Sequence, residues 1–229
     1  MGRKPTVSII IIEKNQKHFL ENSLAMIFLQ SYQGFEVIAV DSGSTDGTLK
    51  LLQKLSVKVV RTNQSNLQTF NYAQAKNEGI RASQGKYIAI LSGDAVPTSF
   101  NWLKNLIRGL DGQDAAATNG SYIFSLKTDI LHQLWFRPIF RFSRGGRPTS
   151  FTGANCAIKK GAWERYPFDE KYGPAEDAEW GKIITRGGFK IVFNRDASVF
   201  HQHWSGVLNN LRQILDQIEK AFAYLKNAY

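Results

Sequence analysis

The chain has 229 residues, 43% of them apolar, enough for one substantial domain with a buried core of its own. Its single cysteine, Cys156, excludes an internal disulfide framework and reads as a small buried hydrophobe in a reducing compartment; no secretory signal is visible, and no apolar run approaches the ~20 residues of a spanning helix. The formal charge of +10 would suit nucleic acid, anionic lipid or phosphorylated ligands, so its distribution has to decide.

Strands and helices alternate along the first 91 residues. The patterning predicts strands over 7–12, 35–40, 57–61 and 86–91, and helices over 17–30, 48–54 and 67–82. Such alternation implies a parallel sheet with right-handed crossovers, so residues 1–97 read as a nucleotide-binding half. Residues 98–204 read as an acceptor and catalytic half. Its expected elements are a helix near 99–110, a strand over 115–124, an aromatic stretch over 131–142 and a Gly-, Arg- and Pro-rich loop over 143–150. A strand over 152–158, a helix beginning near 175 and a strand over 189–193 follow. Residues 205–229 carry apolar side chains at helical spacing with no capping glycine behind them, as an amphipathic helix that continues into a longer protein would. Between Ile130 and Trp163 lie six basic residues and no acid, so this segment carries much of the excess charge.

Two apolar runs stop abruptly at an acid. Val37-Ile38-Ala39-Val40 ends in Asp41-Ser42-Gly43-Ser44-Thr45-Asp46-Gly47-Thr48, and Ile90-Leu91 ends in Ser92-Gly93-Asp94. A carboxylate at the C-terminal end of a parallel strand faces the crevice where open α/β sheets bind ligands. Asp41 could there accept a hydrogen bond from a nucleobase. Asp94 is the kind of lone carboxylate that Mg²⁺ or Mn²⁺ takes beside a diphosphate, against a plainer role as a turn aspartate before Pro97. Asp46 is equally well explained as a cap of the next helix. Glu176 and Asp177 open a predicted helix, where acids are common because they complement the dipole. His201 and His203, two apart at a strand end, share one face and form a pair suited to a metal.

Together these motifs resemble the inverting family 2 glycosyltransferases of the GT-A fold, in particular their rhamnosyltransferase-like members. The likeness rests on the opening strand Val7-Ser8-Ile9-Ile10-Ile11-Ile12, on Asp41 to Thr48, on Ala75-Lys76-Asn77-Glu78-Gly79-Ile80, on Ser92-Gly93-Asp94, on Thr152-Gly153-Ala154-Asn155, on Pro167-Phe168-Asp169-Glu170 and on Glu176-Asp177, in the family's order. It implies an α/β fold with a Rossmann-like, mostly parallel central sheet flanked by helices in a single domain. It also implies a donor site of Asp41, Ser42, Gly43, Lys76, Asn77, Ser92, Gly93 and Asp94. Asp177 would be the catalytic base beside Glu176, and Asp94 with His201 or His203 would hold Mg²⁺ or Mn²⁺. The donor would be a UDP- or dTDP-linked sugar. The acceptor would be a saccharide or lipid-linked saccharide, in envelope polysaccharide synthesis at the cytoplasmic side of a membrane. Arg144 and Arg147 are candidates for steadying the departing diphosphate, against an equal reading as a solvated loop. Three departures stand out: the two-acid D-x-D metal motif keeps only Asp94, Glu13 and Lys14 replace the commoner Pro-Thr or Pro-Ala, and Lys76 replaces an arginine, keeping charge but losing bidentate geometry.

Other classes fit less well. A dehalogenase-type phosphatase would need an aspartate where Ser44 stands, and a Rossmann dehydrogenase would need a G-x-G-x-x-G after the first strand. Nucleic-acid binding rests on charge alone. The runner-up is a non-catalytic nucleotide-sugar or glycan-binding module on the same fold. The aromatic and arginine-rich stretch 131–141 suits either a lipid headgroup region, in peripheral membrane contact, or a buried aromatic helix.

Overall fold

The structure is a computed structural model and describes residues 5–62, 64, 70–123 and 151–201. The aromatic stretch over 131–142, Arg144, Arg147, His203 and the helix expected over 205–229 lie outside the described residues.

Four strands, β1 (Val7–Glu13), β2 (Phe35–Asp41), β3 (Lys58–Arg61) and β4 (Tyr87–Ser92), lie parallel in the order β3-β2-β1-β4. Between them run α1 (Lys17–Phe28), α2 (Thr48–Lys54) and α3 (Tyr72–Arg81). A short β5 (Ala95–Pro97), α4 (Trp102–Ile107), β6 (Ala115–Ile123), β7 (Asn155–Lys159), α5 (Lys160–Arg165), α6 (Glu176–Arg186) and β8 (Lys190–His201) follow. The sheet extends past β4 as β7-β6-β8-β5, with β7 antiparallel to both β4 and β6, β8 parallel to β6, and β5 antiparallel to β8. The later half is therefore mixed where the first is parallel.

The central strand β1 is apolar almost throughout because both its faces are covered. Successive side chains alternate between two cores. Ile9 and Ile11 join Leu20, Leu24, Leu52, Trp102 and Leu106 under α1, α2 and α4. Ile10 joins Val40, Ile80, Trp163, Trp180 and Ile184 under α3, α5 and α6. Gly79 lets α3 lie directly on the strands, since a Cβ there would come within 2.7 Å of Ile10 Cγ2 and 2.9 Å of Val40 Cγ2. Cys156 is buried in the second core, and burial pushes its thiol up to about 12, in keeping with a hydrophobe's role.

The alternation over 7–91 translates into the expected order of elements, with the third helix beginning at Tyr72 among the described residues. Beyond residue 92 three features differ from the sequence reading. β5 forms directly behind Asp94, the short helix α5 follows β7, and β8 runs on to His201 instead of ending at 193.

Candidate active site

The C-terminal ends of β1, β2, β4, β6 and β8 and the N-terminal end of β7 share one edge of the sheet, as the registers require. Three groups of polar side chains gather there.

The first centres on Asp41, directly opposite Glu13 in the parallel register. Its Oδ2 accepts the Gly43 N–H at 2.9 Å and its Oδ1 the Ser44 N–H at 3.1 Å, so the loop folds back over the carboxylate as an Asx-type turn. Ser42 is buried and its N–H reaches the Glu13 carbonyl at 3.4 Å. Ser44 Oγ donates to Glu13 Oε2 at 3.2 Å, while Glu13 Oε1 is buried with no partner among the described residues. Burial, followed by the hydrogen bond to Asp41 and that residue's charge, pushes the Glu13 carboxyl up to about 9. Burial would raise Asp41 as well, but hydrogen bonds from Ser44, Glu13 and the Gly43 N–H outweigh it and hold Asp41 below its ordinary value. The pair is thus pushed apart, Glu13 toward its protonated form and Asp41 toward its ionised one.

The second group is Ser92, Gly93 and Asp94. Ser92 Oγ donates to Asp94 Oδ1 at 2.5 Å, and the Gly93 N–H donates to the Ile12 carbonyl at 3.0 Å. Gly93 is pressed against the first group: a Cβ there would lie 2.0 Å from Gln16 Oε1 and 2.7 Å from Glu13 Cβ. Because β5 pairs with β8, Ala95 faces His201, and His201 Nε2 comes within 3.2 Å of Asp94 Oδ1. Both side chains are buried.

The third group surrounds the start of α6. Lys76, on α3, places Nζ 2.5 Å from Glu176 Oε1, and both residues are buried. Burial opposes the ammonium charge, yet Glu176 and Asp177 together hold the Lys76 pKa above its ordinary value. Phe168 adds a cation–π contact at 5.3 Å. Asp177 is partly exposed, and its Oδ2 accepts the Gly153 N–H at 2.8 Å.

A chain of contacts joins the second and third groups. The Tyr122 ring lies 5.7 Å from that of His201, the Tyr122 hydroxyl sits 2.9 Å from Thr152 Oγ1, and Thr152 precedes the Gly153 that binds Asp177.

Asn77 stands apart from these groups. Its Nδ2 donates to the Phe168 carbonyl at 2.9 Å and to Glu170 Oε1 at 3.0 Å, and its Oδ1 accepts from Trp163 Nε1 at 2.8 Å. That amide is fully engaged in fastening α3 to α5 and the loop before α6. Asp46 caps helices: it accepts the Thr48 N–H and the Lys17 N–H, each at 3.0 Å, and the Thr48 hydroxyl at 2.6 Å. Glu13, Tyr122 and Thr152 were not singled out by the sequence as site residues. Glu13 carries the same signal as Asp41, an acid ending a buried strand.

A divalent cation fits the second group. A buried carboxylate and an imidazole nitrogen 3.2 Å apart offer two ligands on one side and leave the rest of a shell to phosphate oxygens and water, although no group of three or more metal-ligating side chains occurs among the described residues.

Comparisons with known proteins return a family model, related sequences and similar folds. The family model described as glycosyl transferase family 2 matches residues 8–171. The glycosyltransferase AglE of Haloferax volcanii is 26% identical over 213 residues, covering 86% of this chain and 67% of that protein. An uncharacterized glycosyltransferase of Haemophilus influenzae is 28% identical over 128 residues, 54% of this chain and 38% of its own length. Among solved structures, the mannosyltransferase PcManGT from Pyrobaculum calidifontis in complex with GDP-Man and Mn²⁺ superimposes with a TM-score of 0.69 at 23% identity, over 86% of this chain and 57% of that one. Glucosyl-3-phosphoglycerate synthase from Mycobacterium tuberculosis in complex with Mn²⁺, UDP and glucosyl-3-phosphoglycerate gives 0.64 at 17% identity, over 94% and 80%. The chain thus spans well under two thirds of the Haemophilus relative and of the mannosyltransferase.

Proposed function

The chain belongs to glycosyl transferase family 2 and has the GT-A fold, and on that premise we propose that it is an inverting, metal-dependent glycosyltransferase moving a sugar from a nucleoside diphosphate to an acceptor hydroxyl. The observation that carries this reading is the meeting of three differently equipped groups at one sheet edge: the Glu13 and Asp41 acid pair, Asp94 with His201, and Asp177 beside the Lys76–Glu176 pair. Two of the structural neighbours contain Mn²⁺ with a nucleotide or nucleotide sugar, which supports the same ligands here. The donor we favour is UDP- or dTDP-linked, with a hexose or rhamnose to transfer. The acceptor we favour is a glycan or lipid-linked glycan. No helix among the described residues is long and apolar enough to cross a membrane.

Each group has a task in such a transfer. Asp41, kept ionised, accepts an N–H from the nucleobase. Asp94 and His201 would hold Mg²⁺ or Mn²⁺, which when bound supplies Lewis-acid stabilisation of the diphosphate. Asp177 takes the proton from the acceptor hydroxyl as that oxygen forms its bond to the anomeric carbon. The bond from that carbon to the phosphate oxygen breaks on the opposite face, and its electron pair leaves with the diphosphate. Asp177 is steadied for this by the Gly153 N–H, and the buried Lys76–Glu176 pair fixes the first turn of α6 beneath it.

Asp177→Asn tests the proposal. It keeps the shape and one hydrogen-bond acceptor but cannot take the proton, so the affinity for nucleoside diphosphate with Mn²⁺ is expected to be unchanged and transfer to fall at least about 100-fold. The readout is metal-dependent release of nucleoside diphosphate across a panel of donors. An Asp177→Asn variant as active as the wild type removes that residue as base; a wild type that binds donors and turns over none favours the non-catalytic binding module.

A further inference from the structure

Tyr72 is the first residue of α3, and 48% of its surface is exposed. The helix does not need it there. Asn71 caps α3 by accepting the Gln74 N–H at 3.0 Å, and any residue would serve at the position after the cap. Its placement follows from the helix. Lys76 is four residues on and shares its face, and Lys76 Nζ lies on Glu176, so Tyr72 stands one helical turn from that ion pair toward the start of α3. Phe70 meets the Tyr72 ring edge to face, with centroids 4.8 Å apart and planes at 85°, and so props it. The crowding of the hydroxyl, followed by the charges of Asp94 and Glu176, raises its pKa against the opposing effect of Lys76. Tyr72 is therefore within the electrostatic reach of both the second and the third polar group.

That position has a chemical meaning if the site works as proposed above, on which this inference rests. The diphosphate belongs at Asp94 and the proton acceptor at Asp177. The anomeric carbon has to lie between the leaving phosphate and the incoming hydroxyl, so the transferred sugar occupies the space between those two acids; Tyr72 opens the helix that carries Lys76 and feels the charges of Asp94 and Glu176. We propose that the ring of Tyr72, propped by Phe70, is the platform on which the transferred sugar of the donor stacks. The C–H face of a pyranose is apolar and weakly positive, and it complements the negative face of an aromatic ring. An open aromatic beside three charged groups supplies such a surface without adding another charge to a site that must release an anion.

The test compares bare and sugar-linked nucleotide. Wild-type protein is titrated by calorimetry with UDP, dTDP and GDP in Mn²⁺, and then with the sugar-linked forms of whichever nucleotide binds. Tyr72→Ala is expected to leave the Kd of the bare diphosphate within about twofold and to weaken the preferred sugar nucleotide about tenfold, with a similar loss in kcat/KM. Tyr72→Phe keeps the ring and should stay within about threefold of wild type in both. A Tyr72→Ala protein that binds the sugar nucleotide as tightly as wild type overturns the platform, as does a Tyr72→Phe protein that loses as much as Tyr72→Ala, since the hydroxyl and not the ring would then be responsible. A wild type that binds none of the three diphosphates overturns the reading of the whole site and the platform with it.

Discussion

Glu13 has a chemistry that departs far from its type. The folded chain holds its carboxyl up to about 9 against a reference of 4.5, chiefly by burial and then by the adjoining Asp41. Below pH 4.5 the group is protonated in folded and unfolded chains alike and favours neither. As pH rises from there toward 9 the unfolded chain releases the proton and the folded chain keeps it, so stability is lost across that window. Glu13→Gln keeps a donor for Asp41 and has no proton to lose. The substitution is expected to leave the melting temperature at pH 4.5 nearly unchanged, to raise it at pH 8.5 by at least about 4 °C, and to flatten the pH dependence between. Thermal unfolding at the two pH values decides it, and equal shifts at both would show that Glu13 is ionised in the fold.

At the scale of elements, Asp46 shows how one side chain can fix two helices. It accepts from the first backbone N–H of α1 and from that of α2, which otherwise have no side-chain cap. By bracing these starts it holds the 42–47 loop over the end of β1, where Asn15 also grips the Thr45 N–H at 2.7 Å. Asp46→Ala should cost about 1–2 kcal/mol in urea unfolding, roughly one cap's worth or more, and weaken nucleoside diphosphate binding through the loop without touching the ligand. Asp46→Asn should lose much less. The capping role was legible in the sequence, as were the parallel strands and the two acids at their ends, because burial on both faces leaves an unbroken apolar run that stops at a polar residue. The later strands were less legible. Polar Asn194-Arg195-Asp196 looks like the end of a strand, but the register jumps there from Asn194 to Ser198 and the strand resumes with Val199 and His201. A bulge and a turn have the same composition, and only pairing with β5 and β6 tells them apart. Asn77 was legible as part of a motif, but its partners Trp163, Phe168 and Glu170 are about 90 residues away in the chain, and no local pattern could supply them.

Across the whole molecule, the second polar group brings together a residue from each half of the sheet. Asp94 follows the last parallel strand of the first half, and His201 ends the last described strand of the second; their approach depends on β5 reaching across to β8. A cation held between them would tie the two halves together, and a nucleotide bound to that cation would extend the tie to Asp41 at the other side of β1. Ligands that bind only the folded state raise its stability in proportion to the logarithm of their saturation, by about 2.7 kcal/mol at 100 times Kd. If both ligands share the site, Mn²⁺ and nucleoside diphosphate together should raise the melting temperature by more than the sum of their separate effects. His201→Ala should abolish that excess while keeping the increment due to nucleotide alone, because Asp41 and its loop are untouched. Asp94→Asn should abolish the same excess from the other side of the crevice. Retention of the full excess in both variants would mean that the cation is held elsewhere, and that the 3.2 Å approach of His201 to Asp94 serves only to pin β5 against the end of β8.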